Sequence, residues 1–580
     1  MPGRAGEPHW LSDYASKSFE WQNTRSHDQT TYYRRLGLVE ACFDADGRHY
    51  EGRADLNALL ELEVKSPLTR DELHRRILLA WTCLRSRHLL LQSRAVATRD
   101  VSSEASGAAD ATCFAVDLDD TPDAAVRAAN QHIVFLDAHF DAVDPLLFWT
   151  HAQNATRVVD PATALAKLFV LPLQQSTRNG RHNLRFLFVG SHQIWCGLTV
   201  YVWMRSFVHY LNCADVELHS RLRALLDPTT VGDRFPLPQE ALYPALTGSV
   251  ARQRWYWLTT RLLRHVRRPL QAGFSNPLRR AAPLTSVPFS PTYASVLDYS
   301  TTPPLNSMPC FVGVSMRNTQ RLHRLCREAK VSIGAGCFAL AALVMMDMYE
   351  TLEPDVPLAE RKPFISGFPL NPRAFFNHHS EPDSLMLAFS DGIALPFLSA
   401  SLSLDGRIKL LARQAHRQLS SYQKRPKLNG DEASLHHMSS RGAGRLLAMQ
   451  YVSSVERSDA MLPAELRKNV NPQGAYPLRP NATTQTCGVS SVGRRDAVIQ
   501  QGMYDLDKPN AYFVADYRGV HAGVRPREGE FLVGIGGADD GLWASVSIDA
   551  SAMDPALVLQ WRDKLEHILD EDGNEERARL

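Results

Sequence analysis

The segment Ser191-His192-Gln193-Ile194-Trp195-Cys196-Gly197 puts an imidazole in a short break between two apolar runs. Leu184 to Val189 reads as a buried strand, and about Leu198 to Leu211 reads as an apolar helix. A histidine in a loop between such elements is held rigidly and is able to face a cleft. Imidazole titrates near neutrality, so it takes a proton from a hydroxyl or amine in a transition state. A base of this kind contributes on the order of a hundred- to ten-thousand-fold in rate. A hydrogen-bonded structural histidine beside an apolar strand satisfies the same pattern, and both readings stand on this segment alone.

Other residue patterns carry less chemistry. Gly534-Ile535-Gly536-Gly537 lacks the following helix and the Lys-Ser/Thr of a phosphate loop, so it reads as strand and turn glycine. His378-His379 and His436-His437 are adjacent pairs without ligand spacing, and no two of the nine cysteines have CxxC spacing. Neither a metal site nor a dithiol redox site is expected. Several cysteines sit in apolar stretches as small hydrophobes, which fits a reducing, cytoplasmic setting. The basic run Tyr422 to Lys427 reads as a solvated loop or as an anion-binding mouth.

The elements that position these residues follow from periodicity. Residues 29–65 read as a hairpin with a turn at Asp44-Ala45-Asp46-Gly47. Leu73, Ile77, Ala80, Trp81 and Leu84 recur at helical spacing, and Thr69 with Glu72 forms a capping-box pattern. Residues 100–125 read as loop and 122–133 as a second helix. Residues 228–310 are proline-rich and contain one helix, about 249–268. Six arginines there (252, 254, 261, 264, 267 and 268) flank Trp255, Tyr256 and Trp257. That helix reads as packing between lobes with a solvated basic face, or as an anion-binding or membrane-surface helix. A strand from Pro309 to Met316 follows, then two helices broken at Gly334 and Gly336. FISGFPLNPRAFF reads as a buried strand ending in a loop. Two strands meet at an Asp539-Asp540-Gly541 turn, and the helix of MDPALVLQWRDKLEHIL closes the chain.

A chain of 580 residues exceeds the roughly 250–300 at which one core stops growing, so two lobes are expected. We divide it into an N-terminal lobe over 1–230, a crossover over 231–305 and a C-terminal lobe over 306–580. A composition of 44% hydrophobic and 22% charged residues excludes a disordered chain, a collagen-like chain and a disulfide scaffold. Lys+Arg is 64 against 62 for Asp+Glu, which argues against a dedicated nucleic-acid binder. The N-terminus shows no apolar signal region, so the sequons at Asn154 and Asn481 carry little weight. The longest apolar run, Ile333 to Met346, is too short to span a bilayer.

SHQIWCG resembles the HHxxxDG motif of the CoA-dependent acyltransferase superfamily. That superfamily includes chloramphenicol acetyltransferase-like enzymes, plant and fungal O-acyltransferases and nonribosomal peptide condensation domains. His192 falls on the second, catalytic His and Gly197 on the Gly; Ser191 replaces the first His, and Cys196 replaces the Asp. LAWTCLRSRHLLL is similar to a "L..RH..L" helix of condensation-like enzymes, and ISGFPLNPR to a "P.N.R" strand of the second lobe. CGVSSVGRRD resembles a later Ser-x-Gly strand. DYRGVHAGVRP stands in the place of the DFGWGKP motif, where only Gly523 and Pro526 match. FLVGIGGADDGLWASVSIDASAM resembles the closing segment of plant and fungal O-acyltransferases. These segments occur in the family's order over about 30–570. Among subfamilies the chain looks most like the fungal acetyltransferases of secondary metabolism, such as the trichothecene O-acetyltransferases.

The resemblance implies an α+β fold of two chloramphenicol-acetyltransferase-like lobes with a solvent tunnel between them. It implies a monomer that takes acyl-CoA as co-substrate, a small hydrophobic alcohol or amine as acceptor, and no metal or permanently bound cofactor. His192 would deprotonate the acceptor for direct attack on the thioester, without an acyl-enzyme. Ser490 or Ser491 would donate to the oxyanion, unless they are ordinary strand serines. Arg373 would support the loop or tunnel, or form an inter-lobe salt bridge. The family's Asp pairs with an arginine and fixes the loop, and a neutral thiol at Cys196 lacks that ion pair. Either packing by Trp195 and the following helix holds the loop, or the site has decayed. Cys196 as a nucleophile is a third reading, for which no adjacent base is evident. Two alternative functions remain: a condensation-like enzyme served by a separate carrier protein, and a decayed member acting as a binding protein.

Overall fold

Strand Leu56–Lys65 is buried at nearly every position because it is covered on both faces. Leu56, Ala58, Leu60, Leu62 and Val64 pack into one core with Trp81, Leu84 and Trp203, whereas Leu59 joins Phe148, Trp149 and Phe169 on the other side. The computed structural model describes residues 9–570 apart from 27–28, 103–110, 177, 179, 247, 267–269, 286, 288, 302–305, 377–379, 423–442, 475–484, 510–511 and 539–540. The sheet runs Val514–Val524, Leu56–Lys65, His182–Gly190, Ala166–Val170, Ile133–Phe135. Its first strand comes from the last part of the chain and pairs antiparallel with Leu56–Lys65.

A second sheet runs Ser307–Val314, Gly541–Asp549, Phe531–Ala538, Gly488–Arg494, the last pair parallel. Its apolar face packs on Ile333–Leu352, Leu404–Tyr422 and Pro555–His567. Helix Ile333–Leu352 is longer than its apolar run and is long and apolar enough to cross a membrane, yet most of it is buried in this core. A smaller sheet joins Gln22–Ser26, Gln29–Arg35, Thr112–Asp117 and Arg94–Ala97. Helices and mainly antiparallel sheets make this an α+β chain, as expected.

Several local expectations hold. Helix Arg70–Arg87 starts at the Thr69–Glu72 capping box. Pro122–Asn130 and Val250–Val266 are helical. In the latter, Tyr256 and Trp257 are buried in an aromatic cluster with Trp10, Tyr14 and Tyr451, while Trp255 is exposed.

Three expectations need correction. The hairpin over 29–65 is absent: its two strands lie in different sheets, and between them Leu38–His49 is a helix that contains Asp44-Ala45-Asp46-Gly47. Charge pairing overrides the turn signal. Asp44 binds Arg48 one turn on, and the buried Asp46 is held by Arg53 and Arg527. Gly47 is required for room, since a Cβ there would stand 2.2 Å from Nη2 of Arg157. Residues 100–125 are not all loop, because Thr112–Asp117 finds strand partners on both sides. The break expected at Gly334 and Gly336 falls at Lys330–Ser332, where Lys330 has φ +59°. Both glycines lie in the first turn of the helix, and a Cβ on Gly336 would meet Cys326 Sγ at 2.5 Å.

All nine cysteines are buried and unpaired. The His378-His379 and His436-His437 pairs, residues 423–427 of the basic run and the turn residues Asp539 and Asp540 lie outside the described residues.

Glu240, from the proline-rich stretch, is buried against the N-terminus of helix Leu38–His49. Its Oε1 accepts from the Leu38 N–H at 2.8 Å. Burial, and then the nearby Glu40 carboxylate, raises its pKa from 4.5 to about 7. The folded chain thus keeps a proton that the unfolded chain releases earlier. This contribution to stability is complete below the unfolded value and is lost as pH rises through the folded one. Glu240→Gln retains the acceptor oxygen without the charge. Its melting temperature should exceed wild type at about pH 8, with the gap closing toward about pH 5. A gap that does not change with pH would contradict the assignment.

Candidate active site

Strand His182–Gly190 ends at the loop that carries His192, and helix Gly197–Asn212 begins after it. Gly190 must be glycine, because a Cβ would lie 3.0 Å from the Trp195 indole. Trp195 is buried and stacks on Trp203 with ring centroids 5.3 Å apart. The loop is therefore pinned between the strand end and a tryptophan pair. Its first residue is fixed by Ser191 N–H donating to the Leu165 carbonyl at 2.9 Å.

His192 is surrounded by protein and yet keeps part of its surface accessible. Its ring stacks on Phe43, centroids 4.1 Å apart, from helix Leu38–His49. Nδ1 is buried and has no hydrogen-bond partner among the described residues. Burial, then the charge of Arg527, lowers the pKa from 6.5 to about 4; the Ala54 backbone and Asp46 act in the opposite sense. The imidazole is therefore neutral across the physiological range, the form a base needs.

Two buried ion pairs build the wall beside it. Arg157 holds Asp55 through Nε at 2.7 Å and Nη2 at 2.9 Å, and its Nη2 also reaches Ser191 Oγ at 3.4 Å. Arg527 binds Asp46 at 2.5 Å and Glu530 at 3.3 Å. Between them the chain turns tightly at Gly52, φ +78°, where a Cβ would meet Asp55 Oδ2 at 2.8 Å and Arg525 Nη1 at 2.9 Å. Backbone bonds Ala54 N–H to the Arg525 carbonyl and Arg525 N–H to the Asp55 carbonyl tie this turn to the end of strand Val514–Val524. Gly523 lies in that strand opposite Asn57, and a Cβ on it would press on Ser547 and Trp149.

Cys196 occupies the N-cap of helix Gly197–Asn212. Sγ lies 3.4 Å from Thr199 Oγ1 and 4.0 Å from Nη1 of Arg373. The expectation that Arg373 lacks its usual partner is thus corrected in part, since the guanidinium still reaches the position. It arrives there because Arg373 Nη2 and Thr199 Oγ1 both donate to the Ser384 carbonyl, at 2.5 and 3.1 Å. The Ser384 segment is itself anchored by Asp383, which accepts from Trp203 Nε1 at 2.9 Å and pairs with His88 Nδ1 at 2.5 Å. Burial would raise the Cys196 thiol, but Arg373, the Thr199 hydroxyl and the backbone of Thr199 and Leu198 hold it below the usual thiol value.

Consecutive strand residues face opposite ways. Val489 packs into the second core, and Ser491 Oγ lies 3.5 Å from where a Cβ on Gly334 would sit, on that same side. Val492 packs instead on the first core and lies 3.5 Å from where a Cβ on Gly197 would sit. Ser490 is on the face opposite Val489 and Ser491. The strand meets the loop at Val492 and Gly197, while Ser491 lies toward Gly334. Phe43, Asp46, Arg157 and Arg527 were missed in the sequence. The signal was present in the acid-rich Asp44-Ala45-Asp46 run and in the Arg525-Pro526-Arg527 segment, but it was legible only once the first was seen as a helix.

No protein-family model matches this sequence, and neither does any curated protein. Solved structures do match. The TRI3 trichothecene 15-O-acetyltransferase from Fusarium sporotrichioides superposes with a TM-score of 0.59 over 95% of this chain and 97% of its own, at 13% identity. The first condensation domain of the calcium-dependent antibiotic synthetase, in complex with a substrate analogue, matches 93% of this chain and 97% of its own, at 11% identity and a TM-score of 0.49. Identity this low speaks for fold and not for substrate. The chain has the α+β, chloramphenicol-acetyltransferase-like fold that the 15-O-acetyltransferase also has.

Proposed function

We propose that this chain is an acyltransferase that uses acyl-CoA as donor and a hydroxyl or amine of a small molecule as acceptor. The observation that carries the reading is His192: a neutral imidazole on a rigid loop, with Nδ1 buried and part of the residue's surface accessible. Nε2 accepts the acceptor's proton as its oxygen or nitrogen attacks the thioester carbonyl. The carbonyl π-bond becomes an oxyanion, toward which Ser490 donates. As the carbonyl re-forms, the carbon–sulfur bond breaks and the thiolate leaves with the proton from the imidazolium. Preorganised donors to such an oxyanion contribute roughly 3–4 kcal/mol where single ones have been removed. Cys196 and Arg373 act as positioning groups that hold the loop.

The test is thiol release from acetyl-CoA and longer acyl-CoAs across a panel of alcohols and amines. His192→Ala should lower kcat/KM by about a hundred-fold or more. Ser490→Ala should lower kcat by about ten- to a thousand-fold, and Ser491→Ala should stay near wild type. Equal effects of the two serine variants would remove the face assignment. Silence of the wild type toward every acyl-CoA, with turnover of a carrier-bound thioester, would replace the donor.

The lowered imidazole pKa has its own consequence. The base is deprotonated above about 4, so the acid limb of the kcat/KM profile should fall well below an ordinary histidine's 6.5. An acid limb near 6.5 would show that His192 is not the group titrating.

Cys196→Asp tests the cap. A carboxylate there accepts from the helix N-terminus and pairs with Arg373, and N-cap carboxylates stabilise by about 0.5–2 kcal/mol. The variant should melt higher and turn over at least as fast as wild type. The same substitution in an Arg373→Ala background should lose that gain. A lower melting temperature in the single variant would mean the site is built for the thiol.

A further inference from the structure

Arg457 sits in the last turn of helix Ala443–Ala460, which packs on helix Leu38–His49. Its guanidinium carbon lies over the Phe389 ring, 3.8 Å from the centroid. Phe389 neighbours Phe43, centroids 6.4 Å apart, and Phe43 carries His192. Burial lowers the Arg457 pKa below the usual arginine value, with Cys42, Arg527, Asp46 and Glu530 as its charged or ionisable neighbours.

Among the described residues this guanidinium makes no hydrogen bond or ion pair. Every carboxylate close by is committed elsewhere. Asp46 holds Arg53 and Arg527; Glu530 holds Arg527; the adjacent Glu456 holds Arg264; Glu240 holds the Leu38 N–H. Arg53, Arg457 and Arg527 thus face only Asp46 and Glu530, an excess of one positive charge. A desolvated cation without an acceptor is costly. Its nitrogens are not sealed in the core, and the residue keeps part of its surface accessible. With the ring against its carbon and no acceptor among the described residues, the guanidinium keeps N–H donors of the kind that grip a carboxylate.

We propose that Arg457 binds a carboxylate on the acceptor, so that the acceptor is a hydroxy or amino acid whose apolar body lies along Phe43 and Phe389. This rests on the acyltransferase reading for the word acceptor, but the anion site itself does not. A phosphate of the coenzyme is the other source of the same negative charge, and the experiment separates them.

Binding is measured by calorimetry without acyl donor, using 4-hydroxyphenylacetate and its uncharged amide as probes, and coenzyme A separately. Wild type should bind the acid at least about tenfold more tightly than the amide. Arg457→Gln should erase that preference while leaving amide affinity within about twofold, and Arg457→Lys should restore part of it. His192→Ala should keep the preference. Acid and amide bound alike by wild type, or a preference that survives in Arg457→Gln, overturns the proposal. So does a variant that loses affinity for coenzyme A and not for the acid. Acid preference in a protein that releases no thiol would keep the anion site and discard the transferase reading.

Discussion

Asp46 is fully buried on the inward face of helix Leu38–His49, and Arg53 and Arg527 close on it from two sides. Removing one partner of a buried ion pair commonly costs about 3–5 kcal/mol, because the other charge is left desolvated. Here one carboxylate serves two guanidinium groups, so its loss would strand Arg53 and leave Arg527 with Glu530 alone. The pair also sets geometry. Arg527 follows directly on the strand Val514–Val524 that joins the two halves of the chain, and Asp46 lies three residues after Phe43. One interaction thus fixes the helix against the joining strand and places Phe43 beneath His192. The same arginine then lowers the histidine's basicity. Support and electrostatics come from one group.

That coupling involves a trade. A base with a lowered pKa is always in its neutral form, but it gains less from proton transfer than one matched to the working pH. Arginines 157, 525 and 527 all converge on the 46–55 segment, facing Asp46, Asp55 and Glu530. Of these, Arg527 is the one that lowers the basicity of His192. A bound carboxylate would offset part of the field at His192 and bring its basicity back up.

The sequence showed the strand, loop and helix around His192 because their apolar periodicity and flanking glycines are local. It showed the cap of Arg70–Arg87 and the closing hairpin for the same reason. It misled over Asp44 to Gly47, whose residues have turn propensity but whose carboxylates are held in a helix by arginines both inside it and outside it, Arg527 being hundreds of positions away. The two serines were indistinguishable as text. Only the packing of Val489 into the second core showed that the two serines lie on opposite faces of the strand. Arg373 was found by motif, but its reach to Cys196 depends on the Ser384 carbonyl, which no side-chain pattern announces.

The cysteine at the cap bears on whether the loop needs its charge. Asp at an N-cap does two things: it satisfies helix N–H groups, and it neutralises the arginine brought against it. Cys196 makes no side-chain cap bond, and only its thiol, held below its usual pKa beside Arg373, stands in for the charge. What remains is done by shape. Trp195 fills the space that Gly190 leaves, Trp203 stacks on it, and Asp383 ties Trp203 and His88 together across the two halves. A loop clamped by packing and by a remote carboxylate tolerates a thiol at its cap, because the charge is no longer what holds it.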